Sequence, residues 1–116
     1  MVDNEFFLAG GNVNTGVVRL GNTVRRNLSN ASVTIHQLLQ HLETKGFEGS
    51  PRFLGIDDKN RETLSFIEGE TGIPSSIWQT NEPLIASALL LRRYHDATLD
   101  FTPSTATWGY VYPNAQ

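Results

Sequence analysis

The stretch GGNVNTGVVRLGNTVRR, residues 10–26, places four glycines around two short runs rich in β-branched residues and ends in two arginines. β-Branched residues favour extended backbone. The dipeptide Gly21-Asn22 tolerates the positive φ that a tight hairpin turn requires. Together with the apolar run just before it, the stretch predicts three antiparallel strands that open the chain, at residues 5–9, 16–20 and 23–28.

An amphipathic helix is expected to follow this sheet. Its apolar residues are spaced at i, i+3, i+4 and i+7, which places them on one face of a helix: Ile35, Leu38, Leu39 and Leu42. Ser32 is expected to cap the start of the helix. Gly46 is expected to stop it, because glycine readily adopts the left-handed conformation that ends many helices.

The second half of the chain predicts a hairpin, a connector and a second helix. Residues 53–56 and 62–67 are typical of two strands around a polar turn, and residues 68–81, rich in Gly, Pro and Ser, are typical of a hinge. Residues 82–98 predict a helix with a broad apolar face, which needs either the rest of this chain or a second copy to cover it. An irregular tail is expected after it.

The fold class that these elements predict is α+β, a five-stranded and mostly antiparallel sheet with one packed helix, a hinge and a C-terminal helix. The corresponding domain division is a sheet-and-helix unit at residues 1–67, a connector at 68–81, and a helix with an irregular tail at 82–116. One compact unit is the most that a chain of this length is expected to form.

Composition limits the expected partners and location. Nine Lys and Arg against twelve Asp and Glu give a net charge of −3, which argues against nucleic acid or an anionic membrane as a partner. The chain has no cysteine, which fits a reducing cytoplasm. The amino-terminal residues lack the basic region of a secretory signal, and no apolar run approaches the roughly 20 residues of a membrane-spanning helix. The expectation is a cytoplasmic protein.

Five segments, in this order, resemble the aminoglycoside phosphotransferases, small-molecule kinases with a protein-kinase-like fold. They are GGNVNTGVVRLGNTVRR, LLQHLETKGF, PRFLGID, LSFIEGE and LLRRYHDAT. The resemblance implies that residues 1–67 form the nucleotide-binding amino-terminal lobe and that residues 82–116 begin a truncated second lobe. It implies ATP with Mg²⁺ as cofactor, and a small-molecule acceptor only where a second lobe is supplied.

The resemblance also implies a set of cofactor-binding residues. Four residues of the glycine-rich hairpin would cover the ATP phosphates: Gly10, Gly11, Asn14 and Gly16. Val24 would lie under the adenine, and Arg26 on the same strand face would hold the α- and β-phosphates. The backbone of residues 65–68, including Ser65, Phe66 and Ile67, would bind the adenine edge. A one-residue slip of the strand would exchange Arg26 for Arg25, so both arginines stay open.

The chain departs from that family where chemistry is concerned. The His-Gly-Asp catalytic loop with its following Asn, and the later metal-binding Asp, do not occur in the sequence, so no catalytic residue and no protein metal ligand is assigned. The helix Glu that pairs with the third-strand cation in such kinases is also missing, and His36 is the nearest polar candidate for its place. The preferred interpretation of His36 is a partly exposed surface histidine, and Asp57 and Asp58 are interpreted as solvated turn residues. Two functions remain open. One is an ATP-binding lobe that is inactive alone, and the other is a noncatalytic assembly module or degenerate kinase fragment that self-associates through residues 82–98.

Overall fold

The computed structural model describes residues 4–8, 16–69, 74–109 and 113. The described elements are, in chain order, β1 (Glu5–Phe7), β2 (Val18–Leu20), β3 (Thr23–Asn27), α1 (Ser32–Thr44), β4 (Phe53–Ile56), β5 (Arg61–Ser65), a 3₁₀-helix (Ser75–Gln79) and α2 (Glu82–Thr98). The predicted α+β class, with a five-stranded antiparallel sheet and two helices, is confirmed. The 3₁₀-helix lies within the segment that the sequence predicted to be an irregular connector.

The five strands form one sheet in the order β1-β2-β3-β5-β4, and every neighbouring pair is antiparallel. In the central pair, Val24 lies opposite Leu64 and Arg26 lies opposite Glu62. Because directly opposed residues point to the same side of a sheet, these four share one face. We call it the inner face, since Glu62 contacts α1 there. The opposite side is the outer face.

Helix α1 packs on the inner face and ends as the sequence predicted. Gly46 has a φ of +70°, and its N–H donates to the carbonyl of Glu43 while the N–H of Phe47 donates to the carbonyl of Leu42. This pair of bonds is the Schellman arrangement, which brings Phe47 back against Leu42. Both side chains are buried, as are Ala31, Leu39 and Leu64. Val18 is also buried, but it lies opposite Arg25 and therefore on the outer face.

The start of α1 differs from the prediction. Ala31 occupies the capping position, and its side chain makes no capping hydrogen bond. The hydroxyl of Ser32 lies inside the helix, where it accepts a hydrogen bond of 2.8 Å from the N–H of Ser29. The serine therefore fixes the turn that leads into the helix rather than the first helical amides.

Helix α2 has the predicted bounds, but none of its residues is buried. It touches the rest of the described chain on one side. Leu90 lies over Gly49, the ring of Tyr94 lies 5.8 Å from that of Phe47, and the carbonyl of Ala97 is 2.9 Å from the His41 ring. The other side of the helix, which was expected to be covered, faces solvent in this chain. None of the described helices is both long and apolar enough to cross a membrane.

Candidate functional site

The carboxylate of Glu62 lies between the sheet and α1 and contacts both Arg26 and His36. Arg26 Nε donates to one Glu62 oxygen at 2.6 Å, and His36 Nε2 lies 2.7 Å from the other. The Glu62 side chain is 5% exposed. The arginine that the sequence assigned to phosphate binding is therefore already paired, and the pair joins neighbouring strands to the helix.

His36 does not lie on the surface, so that interpretation is wrong. Its ring stacks on Phe53 with a centroid separation of 3.8 Å and an interplanar angle of 13°. Phe53 and Glu62 come from β4 and β5, and both point toward α1 on the inner face. The helix pattern alone gave no signal of this contact, because the partners lie in strands that follow the helix in sequence.

The outer face carries a second group of ion pairs centred on Asp57. One oxygen of this carboxylate accepts from Arg25 Nη1 at 3.0 Å and from Arg61 Nε at 2.9 Å. The other accepts the backbone N–H groups of Lys59 and Arg61. The Asp57 side chain is 4% exposed, so its interpretation as a solvated turn residue is wrong. Glu5 extends the group, since it binds Arg61 at 2.7 Å.

These contacts shift the pKa of two carboxylates. Burial raises the pKa of Asp57, but the hydrogen bonds from the Arg61 backbone and from the Arg25 and Arg61 side chains outweigh it and lower the pKa to about 2. Hydrogen bonds from Arg61 and Lys59 lower the pKa of Glu5. Both carboxylates are thus ionised at neutral pH and lock the β4–β5 turn to β1 and β3.

The structure places Arg25 and Arg26 on opposite faces of the sheet, as strand alternation requires. Arg25 binds Asp57 on the outer face, and Arg26 binds Glu62 on the inner face. Each of the two alternatives for phosphate binding is therefore engaged with a carboxylate.

The other predicted cofactor-binding residues are brought together only in part. Gly10, Gly11 and Asn14 lie outside the described residues. Gly16 has a φ of +72°, and Val24 is half-buried on the inner face. These assignments, like ATP and Mg²⁺, stay predictions. Within the described part of the chain, no cluster of three or more His, Cys, Asp or Glu is arranged to hold a metal ion.

The predicted adenine-binding backbone makes contacts within the protein. The N–H of Ser65 donates to the carbonyl of Arg52, and the N–H of Phe66 donates to the carbonyl of Asn22. Ile67 follows with an exposed side chain. Two of the backbone donors expected to face a ligand are thus used to hold β5 against its neighbours.

A partly exposed arrangement that the sequence did not predict lies beside this segment, and two of its members, Arg19 and Phe66, are half-buried. The guanidinium carbon of Arg19 sits 3.7 Å from the centre of the Phe66 ring, and Phe6 lies opposite Arg19 across β1 and β2. Phe6 is 60% exposed. We call Phe6, Arg19 and Phe66 the aromatic row. Arg19 and Phe66 also line a shallow depression of about 510 Å³ with Glu68 and Gly69. The sequence predicted strands that contain Phe6 and Arg19, but both their pairing and the stacking of Arg19 on Phe66 depend on the sheet register.

The chain is similar to a trifolitoxin immunity protein from Rhizobium leguminosarum bv. trifolii, with 42% identity over 104 residues. The match covers 88% of this chain and 39% of the relative, so the chain spans about two fifths of that protein's length. No family model matches the chain, and no solved structure matches it.

This similarity overturns the assignment to the aminoglycoside phosphotransferases. The relative is named as an immunity protein and points to a different family from the kinases. The expected phosphotransferase lobe, and its alternative as a degenerate kinase fragment, are therefore wrong. The five segments misled because glycine-rich hairpins and amphipathic helices recur in many folds, and the order of elements does not specify an activity.

Proposed function

We propose that this chain forms part of a protein that gives its cell immunity to a toxin. The observation that carries the proposal is the 42% identity to the trifolitoxin immunity protein, which extends over 88% of this chain. Because the chain spans 39% of that relative, the proposal assigns it a contribution to immunity and leaves the remainder of the activity to further polypeptide. We place this action in the cytoplasm, with which a chain without cysteine is compatible.

The proposed contribution is noncovalent recognition of the toxin through the aromatic row. Two described charge clusters are internally paired: Arg26 and His36 bind Glu62, while Arg25 and Arg61 bind Asp57. These charges hold elements of the fold together, so they support toxin recognition only indirectly. The aromatic row instead offers the exposed ring of Phe6 beside the half-buried Arg19 and Phe66. Arginine and large aromatic side chains dominate the binding energy of many interfaces.

The test uses a chimera in which this chain replaces the matched region of the Rhizobium immunity protein. The chimera is expressed in a trifolitoxin-sensitive strain, and the toxin concentration that halves growth is measured. We expect protection relative to an empty vector. Arg19→Ala is expected to lower the toxin concentration that halves growth about tenfold. This change corresponds to a loss of about 1.4 kcal/mol of binding free energy between the chimera and the toxin.

Lys59→Ala is the matched control, because Lys59 is an exposed cation that binds Glu5. Glu5 lies on the outer face, whereas Phe6 and Arg19 lie on the inner face with Val24. It is expected to leave protection within about twofold of the unmodified chimera, since an exposed ion pair contributes little. A chimera with native-like circular dichroism that gives no protection would refute the immunity proposal. Equal losses for Arg19→Ala and Lys59→Ala would refute recognition by the aromatic row.

A further inference from the structure

We infer that the outward side of α2 docks against further polypeptide of the immunity protein, namely the part of that protein that lies beyond its match to this chain. The choice of this occupant rests on the proposed function. The outward surface consists of five residues on one side of the helix: Leu84, Ile85, Ala88, Leu89 and Leu91. It is distinct from the aromatic row, which lies on β1, β2 and the segment after β5.

Helix α2 is apolar on two sides, and this chain contacts one of them. Leu90 and Tyr94 lie toward the body, where they meet Gly49 and Phe47. Residues advance by about 100° along a helix, which directs Ile85 and Ala88 away from that contact. The same spacing places Leu84, Leu89 and Leu91 on the flanks of the outward surface. Leu84 is 68% exposed and Leu89 is 58% exposed. Such a contiguous apolar surface is typical of an interaction site.

Charged residues border this surface at the C-terminal end of α2. Arg92 and Asp96 lie one turn apart on the same outward side, 3.4 Å from each other, and both are largely exposed. At the other end, the 3₁₀-helix contacts α2 and contributes the exposed Trp78. An apolar centre, a charged margin and an accessible tryptophan are features of protein interfaces.

The length of the relative points to the occupant. A continuous match over 88% of this chain includes residues 82–98 wherever the match begins, so the relative contains a counterpart of α2. The same match accounts for 39% of the relative. More than half of that protein is therefore further polypeptide tied to the counterpart of α2, and tethering raises its effective concentration at this surface. A second copy of the chain has no such advantage.

The test measures whether the additional polypeptide covers α2. The chain has no cysteine, so Leu84→Cys introduces a single thiol on the outward surface. Val33→Cys is the matched control, because Val33 lies in the first turn of α1 and is also 68% exposed. Alkylation rates are followed by mass spectrometry of the peptide that carries each thiol, in this chain and in the chimera.

We expect the two thiols of the isolated chain to react at rates within about threefold of each other, because both positions are equally exposed and both lie in the first turn of a helix. In the chimera, alkylation at position 84 should slow at least about tenfold while position 33 keeps its rate. The same substitution at the aligned residue of the Rhizobium protein itself should slow alkylation to the same extent. This measurement tests the interface where the chimera does not fold.

Unchanged alkylation at position 84 in both longer proteins would overturn the inference. Slow alkylation of position 84 in the isolated chain that becomes fast on dilution would identify a second copy as the occupant. Slow alkylation that requires added trifolitoxin would identify the toxin. Either result would also overturn it. A chimera that shields position 84 but gives no growth protection would preserve the interface and refute the immunity proposal.

Discussion

The carboxylate of Glu62 determines how the sheet holds α1. It accepts from Arg26 at 2.6 Å and lies 2.7 Å from His36 Nε2. We expect Glu62→Gln to lower the free energy of unfolding by about 2 kcal/mol, since it leaves a partly buried arginine without its counter-charge. Urea denaturation measures the change. Glu48→Gln, at an exposed site, is the control and should shift stability by less than about 0.5 kcal/mol. Equal effects would contradict a structural role for Glu62.

Asp57 makes stability depend on acid pH. Its pKa falls from 3.8 to about 2 on folding, so the folded state favours the ionised form. The resulting stabilisation is present above pH 4 and is lost as the pH falls toward 2. Asp57→Asn should remove on the order of 1–2 kcal/mol at pH 7. It should also flatten the change in stability between pH 4 and 2. Urea midpoints across that range measure both effects, and an unchanged slope in the variant would show that another group causes the pH dependence.

Among the elements, the end of α1 depends on one glycine. Gly46 has a φ of +70°, and open space surrounds the position that a Cβ would take. Gly46→Ala should therefore destabilise the protein through backbone strain alone, by about 1 kcal/mol. Gly69→Ala, also in open space but without positive φ, should change stability by less than about 0.5 kcal/mol. Thermal unfolding followed at 222 nm compares the two. A neutral Gly46→Ala would show that the Schellman turn can relax.

Helices and strands that are specified by nearby residues were predictable from the sequence, whereas side-chain pairings between different elements were not. The apolar spacing and Gly46 predicted the body and end of α1, and the bounds of β4 and α2 were also correct. The burial of His36 and Asp57 was missed, since each is held by residues from other strands. Local patterns specify which face of an element is apolar, but register and long-range pairing decide which polar groups are enclosed.

For the whole molecule, the buried side chains lie in or beside the sheet and α1, whereas no residue of α2 is buried. The Leu90 methyl group would lie 2.7 Å from a Cβ added at Gly49, and the buried Phe47 ring would lie equally close. Gly49→Ala should therefore push α2 away while leaving the sheet intact, because the exposed Leu90 moves more easily than Phe47. Hydrogen exchange should show amides of Glu82–Thr98 exchanging about tenfold faster, with β3 and β5 unchanged. Gly69→Ala should alter neither group. Faster exchange spread equally over β3, β5 and α2 would instead show that the chain unfolds as one unit and that α2 has no separate docking equilibrium.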